Sequence, residues 1–193
     1  MPFLVDHALP PGPLLPGGQP TMPGGAAGTV LRPWKETDAA ALAEVFRDPV
    51  IQRWHLRRVE SLDEAREWIA GWRHAWAHGT AVHWAVADAH DDTLLARVCL
   101  QRYDRHLGQA EISYWTAPTA RGKGVCPAAV TAATHWALGE AGFARLELQH
   151  STANPASCRV AEKTGYALEG IRRRAMRHLD GPHDMHLHAR VKP

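Results

Sequence analysis

The sequence has no long apolar segment, few cysteines and no marked excess of charge of either sign. No run approaches the roughly 20 apolar residues that a membrane-spanning helix needs. Its 22 Lys and Arg residues against 20 Asp and Glu residues give a net charge of +2, which argues against a nucleic-acid-binding or membrane-binding surface. Three cysteines without the spacing of metal ligands are typical of a reducing compartment. The N-terminal residues lack the basic start and apolar stretch of a secretory signal, so we expect a cytoplasmic protein.

Residues 1–28 differ in composition from the rest of the chain. Thirteen of them are Pro or Gly, which sustain neither a helix nor a central strand. We therefore predict a flexible leader over residues 1–28 and one folded domain over residues 29–193. The 45% hydrophobic content of the chain is sufficient for a single domain with a sizeable core.

The spacing of apolar residues predicts a strand, two helices, three strands, a helix, a strand, a helix and two final strands. Thr37 is predicted to cap the first helix, and Ser61 with Glu64 forms a capping box for the second. A strand near residues 109–116 leads through a turn and a helix into a parallel strand. An antiparallel meander that feeds one βαβ unit indicates an α+β fold.

The segment ARGKGVCPAAV, residues 120–130, places a basic, glycine-containing turn directly before a helix. Gly122 and Gly124 allow several backbone N–H groups to converge on one point. Pro127 suits the first position of the helix, whose amino end attracts anions. The segment is neither a Walker A loop nor a dinucleotide fingerprint, so it predicts a phosphate site of another kind.

Two longer segments carry a family resemblance. AEISYWTAPTARGKGV (residues 110–125) and ARLELQHSTANPASCRVAEKTGYALEG (residues 144–170) resemble the GNAT superfamily of acyl-CoA N-acyltransferases, and within it the RimJ/RimL-type ribosomal-protein N-acetyltransferases. The likeness covers nearly the whole domain. It implies a GNAT-like mixed central sheet with diverging central strands, flanked by helices, and acetyl-CoA as the cosubstrate.

The resemblance also implies a set of cofactor-binding residues. The family's turn pattern falls on Arg121, Gly124 and Cys126, where Cys replaces the usual Gly or Ala, and the anion it binds is the coenzyme A pyrophosphate. The strand before the turn implies backbone contacts to the pantetheine arm, and Asn154 either contacts that arm, caps its own helix or does both. The implied cofactor-binding residues are Tyr114, Trp115, Thr116, Arg121, Gly122, Lys123, Gly124, Val125, Cys126, Asn154 and Ser157.

Two residues are implied to be catalytic. By resemblance, Ser157 matches the serine of this branch that gives a proton to the departing thiolate. Other branches use a tyrosine four residues further on for this role, but Ala161 occupies that position here. Met176 occupies the position of the glutamate that the branch often uses as a base. Glu111, acting through a water, is then the best remaining base, although a glutamate in cross-strand contact is an equal interpretation.

The sequence leaves alternatives open for the amine acceptor and for whether the protein is catalytic. A protein N-terminal α-amine is slightly favoured over a small amine such as a polyamine, an amino acid or an aminoglycoside. The rival hypothesis is a non-catalytic acyl-CoA-binding or sensing module of the same fold. We expect no nucleic acid, membrane or metal partner, since His74 and His78 lack a third ligand and His183, His186 and His188 have no identified partner; a homodimer is compatible with the sequence.

Overall fold

The computed structural model describes residues 6–12 and 14–192. Residues 1–5 and 13, which belong to the predicted leader, and residue 193 lie outside the described residues. The helices are α1 (Ala39–Val45), α2 (Pro49–Trp54), α3 (Leu62–Ala77), α4 (Val125–Leu138) and α5 (Pro155–Lys163). The strands are β1 (Met22–Pro23), β2 (Thr29–Pro33), β3 (Val82–Asp88), β4 (Leu94–Asp104), β5 (Gln109–Thr116), β6 (Arg145–Ser151), β7 (Ala167–His178) and β8 (Gly181–Val191). No described helix is both long and apolar enough to cross a membrane.

The described strands form one eight-stranded sheet in the order β1-β2-β3-β4-β5-β6-β8-β7. Neighbours from β1 to β5 pair antiparallel, and β5 pairs parallel with β6 through the α4 crossover. The long β7–β8 hairpin then adds to the free edge of β6 through β8. This mixed sheet confirms the predicted α+β fold class.

The two central strands separate along their length. Over the described residues, β5 and β6 pair from Gln109 opposite Arg145 to Glu111 opposite Glu147, and both strands then continue for several residues. Beyond that point no described strand pairs with the edge of β5 that faces β6. An unpaired edge of this kind can accept an extended ligand as an additional strand.

Each face of the sheet is covered by helices around its own apolar cluster. On one face, α4 packs its alanine-rich surface on β3, β4, β5 and β6, with Trp84, Phe143 and Leu148 almost fully buried. On the other face, α1 and α3 enclose Leu42, Phe46 and other apolar side chains. Burial of such side chains contributes roughly 1.5–3 kcal/mol each before the entropy of folding is counted, so the two clusters fix the sheet that carries the site.

Three local details differ from the sequence-based predictions. The short helix α2 was not predicted, although Asp48 caps it and Pro49 occupies its first position, which are both recognised start signals. Thr37 does not cap a helix, because it lies inside a 3-10 turn, Glu36–Asp38, that leads into α1. The crossover helix starts at Val125, two residues before Pro127, because Gly124 takes the left-handed conformation that ends the turn.

The described part of the leader, which was predicted to be flexible, packs on the domain. Leu9 is 4% exposed and belongs to the main apolar cluster, and the Trp84 indole N–H donates to the carbonyl of Pro20 at 3.0 Å. Met22–Pro23 adds the edge strand β1 to the sheet. A Pro- and Gly-rich composition excludes long helices and strands. It does not prevent single apolar side chains from being buried against residues that are distant in the sequence.

Candidate active site

A cleft of about 500 Å³ opens where β5 leaves β6. Its walls come from the end of β5, the turn before α4, the first turn of α4, the helix α5 and the helix α2. The lining residues are Val50, Ile51, Trp54, His55, Tyr114, Trp115, Thr116, Ala120, Arg121, Gly122, Gly124, Val125, Cys126, Pro127, Asn154, Ala156, Ser157, Arg159, Val160 and Lys163. The structure therefore brings every sequence-implied cofactor residue except Lys123 into one cleft.

The turn before α4 is shaped by its two glycines. Gly122 and Gly124 have φ values of 75° and 74°, a region that costs other residues about 1–2 kcal/mol. A Cβ added at either position would meet no atom within 4 Å, so the backbone conformation and not crowding requires glycine. The open space beside these residues is where an anion can approach the turn.

The first turn of α4 leaves backbone donors for that anion. Gly124 is the N-cap and offers no side-chain oxygen to the N–H groups that follow, so the amides of Val125 and Cys126 are available. Pro127 contributes no N–H at all. These features fit a pyrophosphate at the positive end of the helix.

Cys126 acts as a small apolar residue in this turn. It is 7% exposed, and burial raises the pKa of its thiol to about 12. The thiol therefore stays protonated at neutral pH and is not a nucleophile. A neutral thiol is small enough that Cys can replace the usual Gly or Ala without blocking the space beside the turn.

Arg121 connects the turn to α2. Its guanidinium donates to both carboxylate oxygens of Asp48, at 2.7 and 3.2 Å. Asp48 also caps α2 by accepting the N–H of Ile51 at 3.0 Å, and the hydrogen bond from Arg121 lowers the pKa of this carboxyl group. One carboxylate thus holds α2, with Trp54 and His55, against the turn before α4.

The positive charge of the cleft comes from α5 as well as from the turn. Arg159 and Lys163 lie four residues apart and both line the cleft, whereas the side chain of Lys123 is exposed on the turn outside it. None of the described lining residues is Asp or Glu. The sequence reasoning missed Arg159 and Lys163, although their i, i+4 spacing after Asn154 was visible.

Asn154 and Ser157 occupy the first turn of α5. The Asn154 side-chain oxygen accepts the N–H of Ser157 at 3.2 Å, which is the capping interaction that the sequence allowed. The amide NH₂ of Asn154 remains free to donate to a ligand, because the cap uses the oxygen alone. Both interpretations of Asn154 are therefore compatible with its position.

Ser157 is hydrogen bonded to Tyr114, a contact that the sequence did not reveal. The Tyr114 hydroxyl lies 2.7 Å from Ser157 Oγ and 3.3 Å from the Ser157 carbonyl. Burial raises the pKa of the Tyr114 phenol well above its usual range, so the phenol keeps its proton. When it donates to Ser157 Oγ, the serine proton is free to point into the cleft.

Glu111 lies at the last paired position before the central strands separate, but it is not among the cleft-lining residues. Its side chain is 12% exposed and forms an ion pair with Arg102 at 2.9 Å. Gln101 donates to the same carboxylate at 2.9 Å, and Gln149 lies 3.4 Å from it. These contacts match the cross-strand interpretation and leave a catalytic role only through an intervening water.

The α2 side of the cleft carries an aromatic and histidine wall. His55 lines the cleft beside the ring of Trp68, and burial, with the charge of Arg97 next, lowers its pKa to about 4. A neutral imidazole with so low a pKa is a poor base for an amine. Met176, whose thioether cannot accept a proton from an amine, pairs with His183 in the β7–β8 hairpin.

Comparison with known proteins agrees with the fold. Residues 29–167 match the acetyltransferase (GNAT) domain family, and the chain belongs to this family. It is thus an acyl-CoA-dependent N-acetyltransferase with acetyl-CoA as its cosubstrate, as the resemblance implied.

Individual relatives are distant. An uncharacterised N-acetyltransferase of Bacillus subtilis, YoaA, is 23% identical over 165 residues, 85% of this chain and 93% of that protein. The ribosomal-protein-serine acetyltransferase of Escherichia coli is 29% identical over 101 residues, 52% of this chain and 56% of that protein. A solved structure of RimL, a ribosomal L7/L12 alpha-N-protein acetyltransferase in complex with coenzyme A, superposes with a TM-score of 0.80 at 21% identity, covering 86% of this chain and 96% of that one.

Proposed function

We propose that the protein transfers the acetyl group of acetyl-CoA to the N-terminal α-amine of a polypeptide. The amine nitrogen attacks the thioester carbonyl carbon, the carbon–sulfur bond breaks, and the sulfur leaves as a thiolate that takes up a proton. Holding both reactants in one cleft replaces a bimolecular collision by an oriented one.

The observation that carries this proposal is the absence of carboxylates from the described lining of the cleft. Without a base in contact with it, the amine has to arrive neutral. For an alkyl amine with a pKa of about 10.4, neutrality at pH 7 costs roughly 4.6 kcal/mol, whereas for an α-amine near 8 it costs about 1.4 kcal/mol. The difference favours an α-amine by roughly two hundredfold.

Proton supply to the thiolate is assigned to Ser157, whose hydroxyl proton moves to the sulfur and is replaced by a proton from solvent. Its hydroxyl lies in the cleft lining and is supported by Tyr114 at 2.7 Å. A hydroxyl that donates to a developing anion stabilises the transition state more than the ground state, which is the requirement for a catalytic contact. The unpaired edge of β5, from Tyr114 to Thr116, supplies the backbone donors that are proposed for the pantetheine arm and the oxyanion.

Glu111 is proposed as a distant acceptor of the amine proton, through water. Its carboxylate forms an ion pair with Arg102, and it stands where the strands begin to separate. Because it does not line the cleft, we expect a smaller contribution from Glu111 than from Ser157.

The choice of a polypeptide acceptor is supported by the relatives. One of them is named a ribosomal-protein-serine acetyltransferase, and the RimL structure is described as an alpha-N-protein acetyltransferase. Both names specify an acceptor on a protein, in agreement with the preference for a low amine pKa.

A matched peptide pair tests the proposal. A peptide that begins with serine and contains one internal lysine is compared with the same peptide blocked at its N-terminus, and mass spectrometry locates the acetyl group. We expect kcat/KM for the free α-amine to exceed that for the lysine by a hundredfold or more, with a rate that rises through the α-amine pKa. Faster acetylation of the lysine contradicts the proposal. Calorimetric binding of acetyl-CoA without turnover on a broad panel of amines instead favours the binding module.

A further inference from the structure

Four potential metal ligands converge at a point that the proposed reaction does not use. His186 and His188 alternate along β8 and therefore face the same side of the sheet. His150 pairs with His186 across the β6–β8 ladder, and Cys158 approaches from α5. One ligand atom of each of these four side chains lies within 4.8 Å of the other three.

The hydrogen bonds of the two buried histidines leave their lone pairs facing each other. His150 Nδ1 lies 2.9 Å from the carbonyl oxygen of Ser151, and His188 Nδ1 lies 3.1 Å from that of Tyr166. A carbonyl oxygen only accepts, so each Nδ1 carries a proton, and the neutral form of each ring then has a bare Nε2. The two Nε2 atoms are 3.2 Å apart, where two lone pairs repel each other unless a cation lies between them.

The distance between these two nitrogens matches a known coordination geometry. Two imidazole nitrogens bound to one tetrahedral zinc ion at 2.0–2.1 Å lie about 3.3 Å apart. The backbone carbonyls on the opposite ring nitrogens are the outer partners that orient ligating histidines in metal sites. His150 and His188 thus have both the separation and the support of a ligand pair.

The other two side chains complete the donor set. His186 has a buried Nδ1 with no hydrogen-bond partner among the described residues, and Cys158 makes a weak 3.5 Å contact with Glu162. His150 and His188 are buried, whereas Cys158 and His186 are partly exposed, so an ion can enter from solvent. Three imidazoles and one thiolate suit zinc better than magnesium or calcium, which prefer oxygen ligands.

We propose that His150, Cys158, His186 and His188 bind one zinc ion in a four-ligand structural site. The ion would tie α5 to β6 and β8, because its ligands come from all three elements. Cys158 directly follows Ser157, so the site also fixes the first turn of α5 along the cleft. Cys158 would bind as the thiolate, releasing its proton to solvent as the metal enters.

Metal analysis of the full-length, tag-free protein tests the site without reference to acetyl transfer. The protein is stripped with a chelator, dialysed and titrated with zinc or with cobalt as a spectroscopic probe. We expect one equivalent to bind, with the intense visible bands of tetrahedral cobalt and a near-ultraviolet thiolate-to-cobalt charge-transfer band. Zinc in hundredfold excess over its Kd should raise Tm by about 5–10 °C.

Variants at the partly exposed ligands distinguish this site from general binding to surface histidines. Cys158→Ser should abolish the charge-transfer band, and both Cys158→Ser and His186→Asn should weaken zinc binding at least tenfold, with circular dichroism confirming that they fold. His135→Asn, at an exposed histidine of α4, is the matched control and should bind as the wild type does. A wild-type protein that binds no zinc in the titration, which indicates a proton shared between His150 and His188, overturns the proposal. Equal zinc affinity in all three variants overturns it as well.

Discussion

The hydrogen bond between Tyr114 and Ser157 allows a direct test of the proton route. Ser157→Ala removes the hydroxyl that is proposed to donate to the departing thiolate. Tyr114→Phe leaves that hydroxyl in place but removes its support at 2.7 Å. Because Tyr114 is proposed to act through Ser157, the two substitutions should not be independent.

The expected losses follow from the kinds of hydrogen bond involved. A hydrogen bond to a charged group contributes about 1.5–3 kcal/mol, so Ser157→Ala should lower kcat by roughly 10–150-fold. The neutral bond from Tyr114 contributes about 1 kcal/mol, which predicts a loss of about fivefold for Tyr114→Phe. In the Ser157→Ala background the tyrosine substitution should cost nothing further, giving a coupling energy of about 1 kcal/mol.

Steady-state kinetics on the four proteins of this cycle, with release of free coenzyme A as the readout, measures the coupling. Tyr103→Phe is the matched control, because Tyr103 packs against Phe143 at a ring distance of 5.0 Å and does not line the cleft. The raised pKa of Tyr114 keeps the phenol protonated, so its effect should not vary between pH 6 and pH 9. Wild-type turnover by Ser157→Ala, or strictly additive losses, would refute the assignment.

Three further predictions concern the glycine-containing turn before α4, the N-terminal leader and Glu111. Gly124→Asp should weaken acetyl-CoA binding at least tenfold in calorimetry, because it places a strained left-handed residue and a negative charge at the turn. An unchanged Kd in a folded variant contradicts the assignment of this turn to the pyrophosphate. Leu9→Ala should destabilise the protein by about 2–5 kcal/mol, seen as a lower denaturation midpoint, and a midpoint equal to that of wild type would show that the leader does not pack. Glu111→Gln should lower kcat about tenfold with acetyl-CoA affinity retained, and undiminished turnover would make Glu111 a purely structural residue.

The sequence predicted the fold class and the glycine-containing turn before α4 because both depend on local signals. Glycine and helix-start residues act over a few positions, so the segment around Gly124 could be recognised from sequence as a turn that leads into a helix. The short helix α2 was missed because its six residues are fewer than the two turns that periodicity needs, even though Asp48 and Pro49 mark its start.

Other parts of the site depend on contacts between distant segments. Leu9 fills a pocket formed far away in the sequence, and a composition rich in Pro and Gly gives no sign of that pocket. His186 pairs with His150 because β8 lies beside β6 in the sheet, although β7 lies between these two strands in the sequence. Strand order of this kind is set by packing and not by any residue pattern within either strand, so the histidine cluster could not be recognised from sequence.

The double role of Asp48 makes one part of the molecule sensitive to acid. The pKa of this carboxyl group lies below its ordinary value of 3.8, so its contribution to stability is present above that value and is lost as the pH falls through the lower, folded-state pKa. A single protonation then removes the cap of α2 and the bridge to Arg121 together. Acid should therefore loosen the mouth of the cleft, with Trp54 and His55.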